Sequence, residues 1–401
     1  MSSNRIEFIE CRLDDIAEIH NHKRRPLNSR ERENMQGQYP YYGASGIFDY
    51  LNDYIFDGEY VLISEDGENL KSRKTPIAFK VDGKFWVNNH AHIVKGKEEL
   101  INEFIVYYFA NLDLNPFVTG AVQPKLNKEN LLSIPIFMPK EREIRNQYIS
   151  ILKSIDDKIE NNLATNQTLE EIVRTLFKEW FVNFNYPNAD DNLKQSEFGG
   201  IPESWEVGTL GDIYKTTSGG TPSRSKPEYY ENGSIGWVKS KELNNSFIIN
   251  TEEKITPDAL KNSSAKLLPK HSVLIAMYGA TVGEIGIITD KFTCNQAICA
   301  FLPNEQYPFT FIYNFLLNSK QDIISRAVGS AQQNISQQLL LQYRLVIPPI
   351  ELVQEYHRIV FPLFQKIQDN IEENLSLSEL RDSLLPKLMS GEITTTPSTT
   401  Q

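Results

Sequence analysis

Two histidine pairs offer the first chemistry to weigh. His20 and His22, and likewise His90 and His92, are separated by one residue. On a strand, alternate residues share a face, which is what two ligands of one metal ion would need. Neither pair has an evident third ligand, so no metal site is expected. Cys294 and Cys299 sit in the apolar run "FTCNQAICAF" and read as buried strand. The stretch "GGTPSRSK", starting at Gly219, mixes glycines, hydroxyls and cations as a phosphate cradle does. It lacks the second glycine and the lysine at the G-x-x-x-x-G-K-[ST] spacing. "NPF" at Asn115 to Phe117 is one proline short of the turn that holds a flipped base in amino-methyltransferases, and no glycine fingerprint follows a strand. No Pro-Asp with a downstream Glu-x-Lys stands out among the 52 acidic residues. No catalytic residue is expected.

What remains is recognition chemistry. The chain is acidic, with a formal charge of −11, which argues against a generic polyanion binder but not against local basic surfaces. Between residues 350 and 392 there are eight acidic and four basic side chains, so negative charge gathers on one element. Basic residues gather elsewhere, in "HKRRPLNSRER" (His22 to Arg32), "LKSRKTP" (Leu70 to Pro76) and "SGGTPSRSKPEYYENGSIGWVKSKEL" (Ser218 to Leu243). Cations beside Asn, Gln, Ser and Tyr suit phosphate contacts combined with hydrogen bonds to base edges.

The elements that must carry these loops occur twice. "LDDI" (Leu13 to Ile16) matches "LGDI" (Leu210 to Ile213), and "VLISEDG" (Val61 to Gly67) matches "VLIAMYG" (Val273 to Gly279). "NHA" (Asn89 to Ala91) matches "NQA" (Asn295 to Ala297), which sets His90 against Gln296. "GAVQPKL" (Gly120 to Leu126) matches "GSAQQNI" (Gly329 to Ile335), and "KIENNLATNQTLEE" (Lys158 to Glu171) matches "KIQDNIEENLSLSE" (Lys366 to Glu379). The order is kept while the separation drifts, as loop insertions in a duplicated unit require, and the period is far too long for a solenoid. Each half begins with short β-branched and aromatic runs broken by Gly, Asn and Asp. Each mixed region then ends in prolines, "SIPIFMPK" or "RLVIPPIE".

A long helical pattern follows in each half. Ile144, Tyr148, Ile151, Ile155, Ile159, Asn162, Asn166, Leu169, Val173, Leu176 and Trp180 form one seam. Leu352, Tyr356, Ile359, Leu363, Ile367, Asn370, Asn374, Leu377 and Leu384 form the other. Steps of three and four are those of a coiled coil, and the recurring asparagines are register-setting polar residues. The two helices are expected to pair antiparallel, with Asn162, Asn166, Asn370 and Asn374 fixing the alignment. At 1.5 Å per residue each helix is about 60 Å long, a bar that would hold two mixed domains apart. Pro362 is expected to kink the second helix. The expected fold class is α+β: two mixed α/β domains in pseudo-two-fold arrangement, separated by two long helices pairing as an antiparallel coiled coil. The expected boundaries are 1–139 and 205–348 for the mixed domains and 140–184 and 349–392 for the helices. Residues 185–204 read as a linker and 393–401 as a disordered tail.

The strings "GGTPSRSKPEYYENGSIGWVKSKEL", "MYGATVGEIGI", "CNQAICAF", "GSAQQNIS" and "LRDSLLPKLMSGEI" resemble the DNA-specificity subunit of type I restriction-modification systems. From the first half, "YPYYGASGIFDY", "GEYVLISEDGENL", "VNNHAHIV", "GAVQPKLN" and "TLEEIVRTLFKEWFVNF" are similar to the same family. The resemblance implies a non-catalytic subunit whose two target-recognition domains each read half of a split, asymmetric site in double-stranded DNA. It implies two modification subunits that dock on the helices, bind S-adenosylmethionine and methylate adenine. Restriction subunits, using ATP and Mg, would join for translocation and cleavage. No cofactor is expected in this chain itself. Half-sites on one face of the duplex would lie about one helical turn apart, roughly 34 Å.

Expected DNA contacts in the first domain are Lys23, Arg24, Arg25, Arg30, Tyr42, Ser45, Lys71, Arg73, Asn89, His90 and Gln123. In the second they are Thr221, Ser223, Arg224, Lys226, Trp237, Lys239, Lys241, Tyr278, Thr281, Asn295, Gln296 and Gln332. Arg and Lys would hold phosphates or guanines, and Asn and Gln would read adenine edges. Tyr42, Trp237 and Tyr278 fit a core role equally well. The apolar surplus of "LFKEWF" and "LLPKLM" points to partner docking unless the two helices use it up. Only three cysteines, no secretory apolar core in "MSSNRIEFIECRLDD" and no apolar run of membrane-spanning length point to a cytoplasmic protein. The rival readings are a free-standing DNA-binding or bridging protein without enzyme partners, and a nuclease or methyltransferase with unrecognised motifs.

Overall fold

The computed structural model describes residues 6–120, 122–189, 192–326 and 334–393. The chain divides into two compact units, Met1–Ile159 with Ser376–Gln401, and Glu160–Leu375. The division falls within both long helices, Arg142–Phe181 and Ile350–Met389, so each unit holds part of each helix. Among the described residues no helix is long and apolar enough to cross a membrane.

In the first unit, Tyr60–Ser64 lies between Ala91–Gly96 and Ala78–Val81, and Ala17–Ile19 completes an antiparallel sheet. Every residue of Tyr60–Ser64 is buried, so its sequence runs apolar without alternation, as a strand covered on both faces must. The helix Ile101–Asn111 sets Ile101, Phe104, Ile105 and Phe109 into the same core, at helical spacing. A second sheet runs Gly46–Leu51, Gln36–Gly43, Lys84–Val87, Phe56–Asp57, with a parallel pair at its centre. It carries the basic loop of residues 22–32 and the hairpin that follows.

The second unit repeats this frame. Val273–Ala276 is flanked by Ile298–Phe301 and Ile285–Ile288, with Thr216–Ser218 and Ser246–Ile248 at the edges. Its smaller sheet pairs Ile235–Val238 in parallel with Thr293–Cys294. The duplication reaches single hydrogen bonds. Leu13–Ile16 and Leu210–Ile213 are both short helices, opened by Arg12 N donating to Asp15 Oδ2 at 2.8 Å and Thr209 N to Asp212 Oδ2 at 2.7 Å. Leu126 N donates to Glu65 O at 2.7 Å, as Ile335 N does to Met277 O at 2.7 Å.

One pairing of the repeats needs correction. Tyr41 and Tyr42 face Trp86 and Val87, as Trp237 and Val238 face Thr293 and Cys294. Asn88 N then donates to Tyr42 O, as Asn295 N does to Val238 O, and the Asn88 and Asn295 side chains each accept from the amide two residues on. Asn88 is therefore the counterpart of Asn295, and Asn89, rather than His90, is the counterpart of Gln296. The tripeptide match gains one identity, Ala91 with Ala297, in the wrong register, whereas the ladder allows one register only.

The long helices pair antiparallel. In the first unit, Asp156 accepts from Tyr107 Oη at 2.6 Å and from Arg381 Nη1 at 2.9 Å, and Leu385, Leu388 and Met389 share a core with Tyr148, Ile149 and Leu152. In the second, Asn162 Nδ2 donates to Asn374 Oδ1 at 2.9 Å and Asn370 Nδ2 to Asn166 Oδ1 at 2.7 Å. The repeat maps Asn162 onto Asn370 and Asn166 onto Asn374, so these two pairs are copies of each other. The buried stripe is wider than a two-position seam: Ile149, Leu152, Phe177, Val353, Val360 and Phe364 are buried, while Ile359 is 46% exposed. Each helix packs on sheet as well as on helix, which turns a different set of residues inward. "LFKEWF" and "LLPKLM" are used up the same way, since Phe177, Trp180, Leu385, Leu388 and Met389 are all buried. The second helix continues through Pro362. The expected linker holds a hairpin, Leu193–Ser196 with Gly199–Pro202, that buries Ile201. Residues 394–401, the bulk of the expected tail, lie outside the described residues.

Candidate nucleic-acid interface

In the first unit the second sheet and its loops open a cleft of about 540 Å³, lined among others by Arg32, Ser45, Phe48, Asn88, Asn89 and His90. Three expected residues, Ser45, Asn89 and His90, meet there. His90 Nδ1 lies 2.9 Å from both Asp66 carboxylate oxygens. Phe48 is 62% exposed at the hairpin, with the Arg32 guanidinium 4.8 Å from its ring centre and Arg32 Nε donating to Asp49 at 3.0 Å. Neither Arg32 nor Phe48 was among the expected contacts. Arg32 ends the basic cluster, a signal that could have found it, but nothing local marks Phe48 as outward-facing.

Other expected residues of this unit are committed elsewhere. Arg24 bonds Glu65, donates to Ala91 O at 3.0 Å and to Asn89 O at 3.3 Å, and so ties its loop to the sheet. Burial pushes the Glu65 carboxyl up, but Arg24 and Lys125 outweigh it and hold the group below the usual glutamate range. Arg73 donates to the carbonyls of Phe109, Ala110 and Leu112, satisfying the C-terminus of Ile101–Asn111. Tyr42 is half-buried against Phe79 and Phe85. The Arg24, Arg73 and Tyr42 side chains are therefore structural in this arrangement. Lys23, Arg25, Arg30, Lys71 and Gln123 are exposed.

The histidine pairs do not converge. His92 is fully buried: Nε2–H donates to Leu126 O at 2.7 Å and Nδ1 accepts from Asn21 at 2.8 Å, while His90 faces solvent. Burial holds the His92 imidazole below its ordinary pKa, in keeping with that neutral tautomer. His20 is half-buried and His22 exposed. Cys294 and Cys299 are buried, which pushes both thiols up to about 12.

In the second unit the loop that starts at Gly219 is pinned to the smaller sheet. Trp237 is only 3% exposed and donates Nε1–H to Gly220 O at 3.0 Å; it supports the loop and has no ring face to offer a duplex. Tyr230 Oη donates to Pro222 O at 2.6 Å. Thr221 bonds the Gln296 side chain, and the Ser223 and Ser225 hydroxyls pair at 2.8 Å. The cations face two glutamates that the sequence did not single out. Arg224 Nη1 lies 2.6 Å from Glu253; Lys239 Nζ lies 2.9 Å from Glu253 and 2.7 Å from Glu252; Lys241 Nζ lies 2.7 Å from Glu252. Hydrogen bonds from Lys239 and then Lys241 hold the Glu252 carboxyl down at about 2, and Arg224 and then Lys239 lower Glu253. Lys226 Nζ lies 3.1 Å from Tyr229 Oη. Tyr278, Thr281 and Asn295 are half-buried, Gln296 is exposed, and Gln332 lies outside the described residues.

The model of the type I restriction modification DNA specificity domain matches the chain twice, over residues 6–171 and 202–377. The MjaIX specificity subunit of a type I restriction enzyme from Methanocaldococcus jannaschii is 27% identical, covering 91% of this chain and 89% of its own. The EcoR124I/EcoR124II specificity subunit from Escherichia coli is 32% identical, covering 67% and 65%. The crystal structure of a type I restriction-modification S subunit from M. genitalium superposes with a TM-score of 0.67 at 16% identity, covering 97% of both chains, a likeness of fold. With both halves matched and two divergent surfaces on one repeated frame, the chain belongs to the family of type I restriction-modification DNA specificity subunits.

Proposed function

We propose that this chain reads a bipartite, asymmetric site in duplex DNA and directs adenine methylation, and in a larger complex restriction, by partner subunits. The observation that carries the reading is the pair of corresponding surfaces whose frames share a central ladder and matching hydrogen bonds while their exposed side chains differ. Two readers of different chemistry on one chain call for two unlike half-sites. The chain supplies no chemistry of its own in this reading. Modification subunits bring S-adenosylmethionine and the methyl transfer, and translocase subunits bring ATP and Mg. Docking of a modification subunit would use Leu163, Ile172, Leu375 and Leu380, apolar side chains exposed on the long helices.

The test is adenine methylation of duplex DNA by the purified chain alone and mixed with a modification subunit. Sequence-dependent methylation by the mixture only is expected. Methylation by the chain alone overturns the reading. Specific binding with no methylation in the mixture favours a free-standing DNA-binding protein.

A further inference from the structure

In each unit an indole does two things at once. In the first, Trp86 donates Nε1–H to Arg25 O at 2.7 Å, and the Arg25 guanidinium lies 5.9 Å from the Trp86 ring centre. Tyr41, the register partner of Trp86, accepts at its hydroxyl from Leu27 N at 3.2 Å. In the second, Trp237 donates to Gly220 O, and the Arg224 guanidinium lies 4.9 Å from the Trp237 ring centre and 4.2 Å from that of Tyr230. Trp86 and Trp237 occupy the same rung of the same parallel strand pair, on opposite strands of it. An aromatic pair thus grips the loop backbone and lays one arginine over an indole in both units. Arg25 is exposed, and the Arg224 side chain is 52% exposed.

We propose that Arg25 and Arg224 are the specificity-determining arginines of this chain, each reading one guanine, one in each half of the DNA site. The inference rests on the DNA-specificity reading above. Stacking on a buried ring restricts the guanidinium before DNA arrives, and the planar fork matches guanine O6 and N7 in the major groove. A phosphate contact needs no such restraint, because a flexible cation serves as well. Arg24 and Arg73 of the first set differ: each gives donors to two or more protein carbonyls, and Arg24 to Glu65 as well, whereas Arg224 gives Nη1 to the one carboxylate of Glu253.

The experiment is selection of duplexes from a randomised library by the full chain, alone and with its modification subunit, for wild type, Arg25→Ala and Arg224→Ala. Wild type should enrich a two-part sequence with a guanine in each part. Each variant should lose discrimination at one base pair of one part, on the order of tenfold to a hundredfold. The preference retained in the other part reports that the variant is folded. Unchanged preferences, both variants acting on the same part, or affinity falling equally for all sequences would overturn the proposal, the last by marking phosphate contacts. If wild type enriches no sequence, the DNA-specificity reading falls and this proposal with it; specific wild type with unaltered variants sinks the proposal alone.

Discussion

Glu253 faces two cations of the second unit, Arg224 and Lys239, and Glu252 faces Lys239 and Lys241. In the proposed DNA-reading role these three positive charges would meet the duplex with two carboxylates already beside them, which would weaken sequence-independent attraction. Changing Glu253→Gln should raise affinity for non-cognate DNA and steepen the dependence of log K on log salt by about one unit, measured by titration at several salt concentrations. Both carboxyls are held below their ordinary range, so their charge, and with it this restraint, is present at neutral pH. It is lost only as pH falls through the lowered values, about 2 for Glu252. The basic residues were legible in the sequence, but their fates were not. Arg24, Arg73 and Arg224 are alike as letters; one braces a loop, one caps a helix, and one lies exposed over an indole. Partners far along the chain make the difference.

At the scale of elements, the paired asparagines are the informative feature. Asn370 is buried and donates to Asn166, and its own Oδ1 finds no partner among the described residues. Asn370→Ala should lower stability by about 1–3 kcal/mol, read from denaturant unfolding, because Asn166 is left buried with its bond broken. Changing Asn166 and Asn370 both to Leu should instead match or exceed wild-type stability while weakening the alignment, seen as reduced specific DNA binding. Leu163→Asp with Ile172→Asp, both exposed on the first long helix, should leave the fold and DNA binding intact and abolish co-purification with the modification subunit. Helix length and the asparagine positions were readable because a repeating stripe is a local pattern. Exposure of Ile359 and burial of Val360 were not, because the packing sheet, absent from the heptad, decides which side of the stripe turns inward.

At the scale of the whole molecule, the proposed distance between half-sites follows from helix length. Seven residues inserted in register after Ile159 and after Leu375 add about 10 Å of helix. The spacer of the methylated site should then lengthen by about three base pairs, and methylome sequencing checks it; an unchanged spacer would remove the helices from that role. The sequence by itself determined the duplication, the family and the helix-asparagine pattern, because each is carried by residue order along the chain. Tertiary structure alone decided that Asn89 rather than His90 corresponds to Gln296, since strand register is fixed by hydrogen bonds between distant segments. It also decided which cations are used up internally and which remain outward. A side chain's availability depends on what the fold brings to it, and a residue's neighbours in sequence do not carry that information.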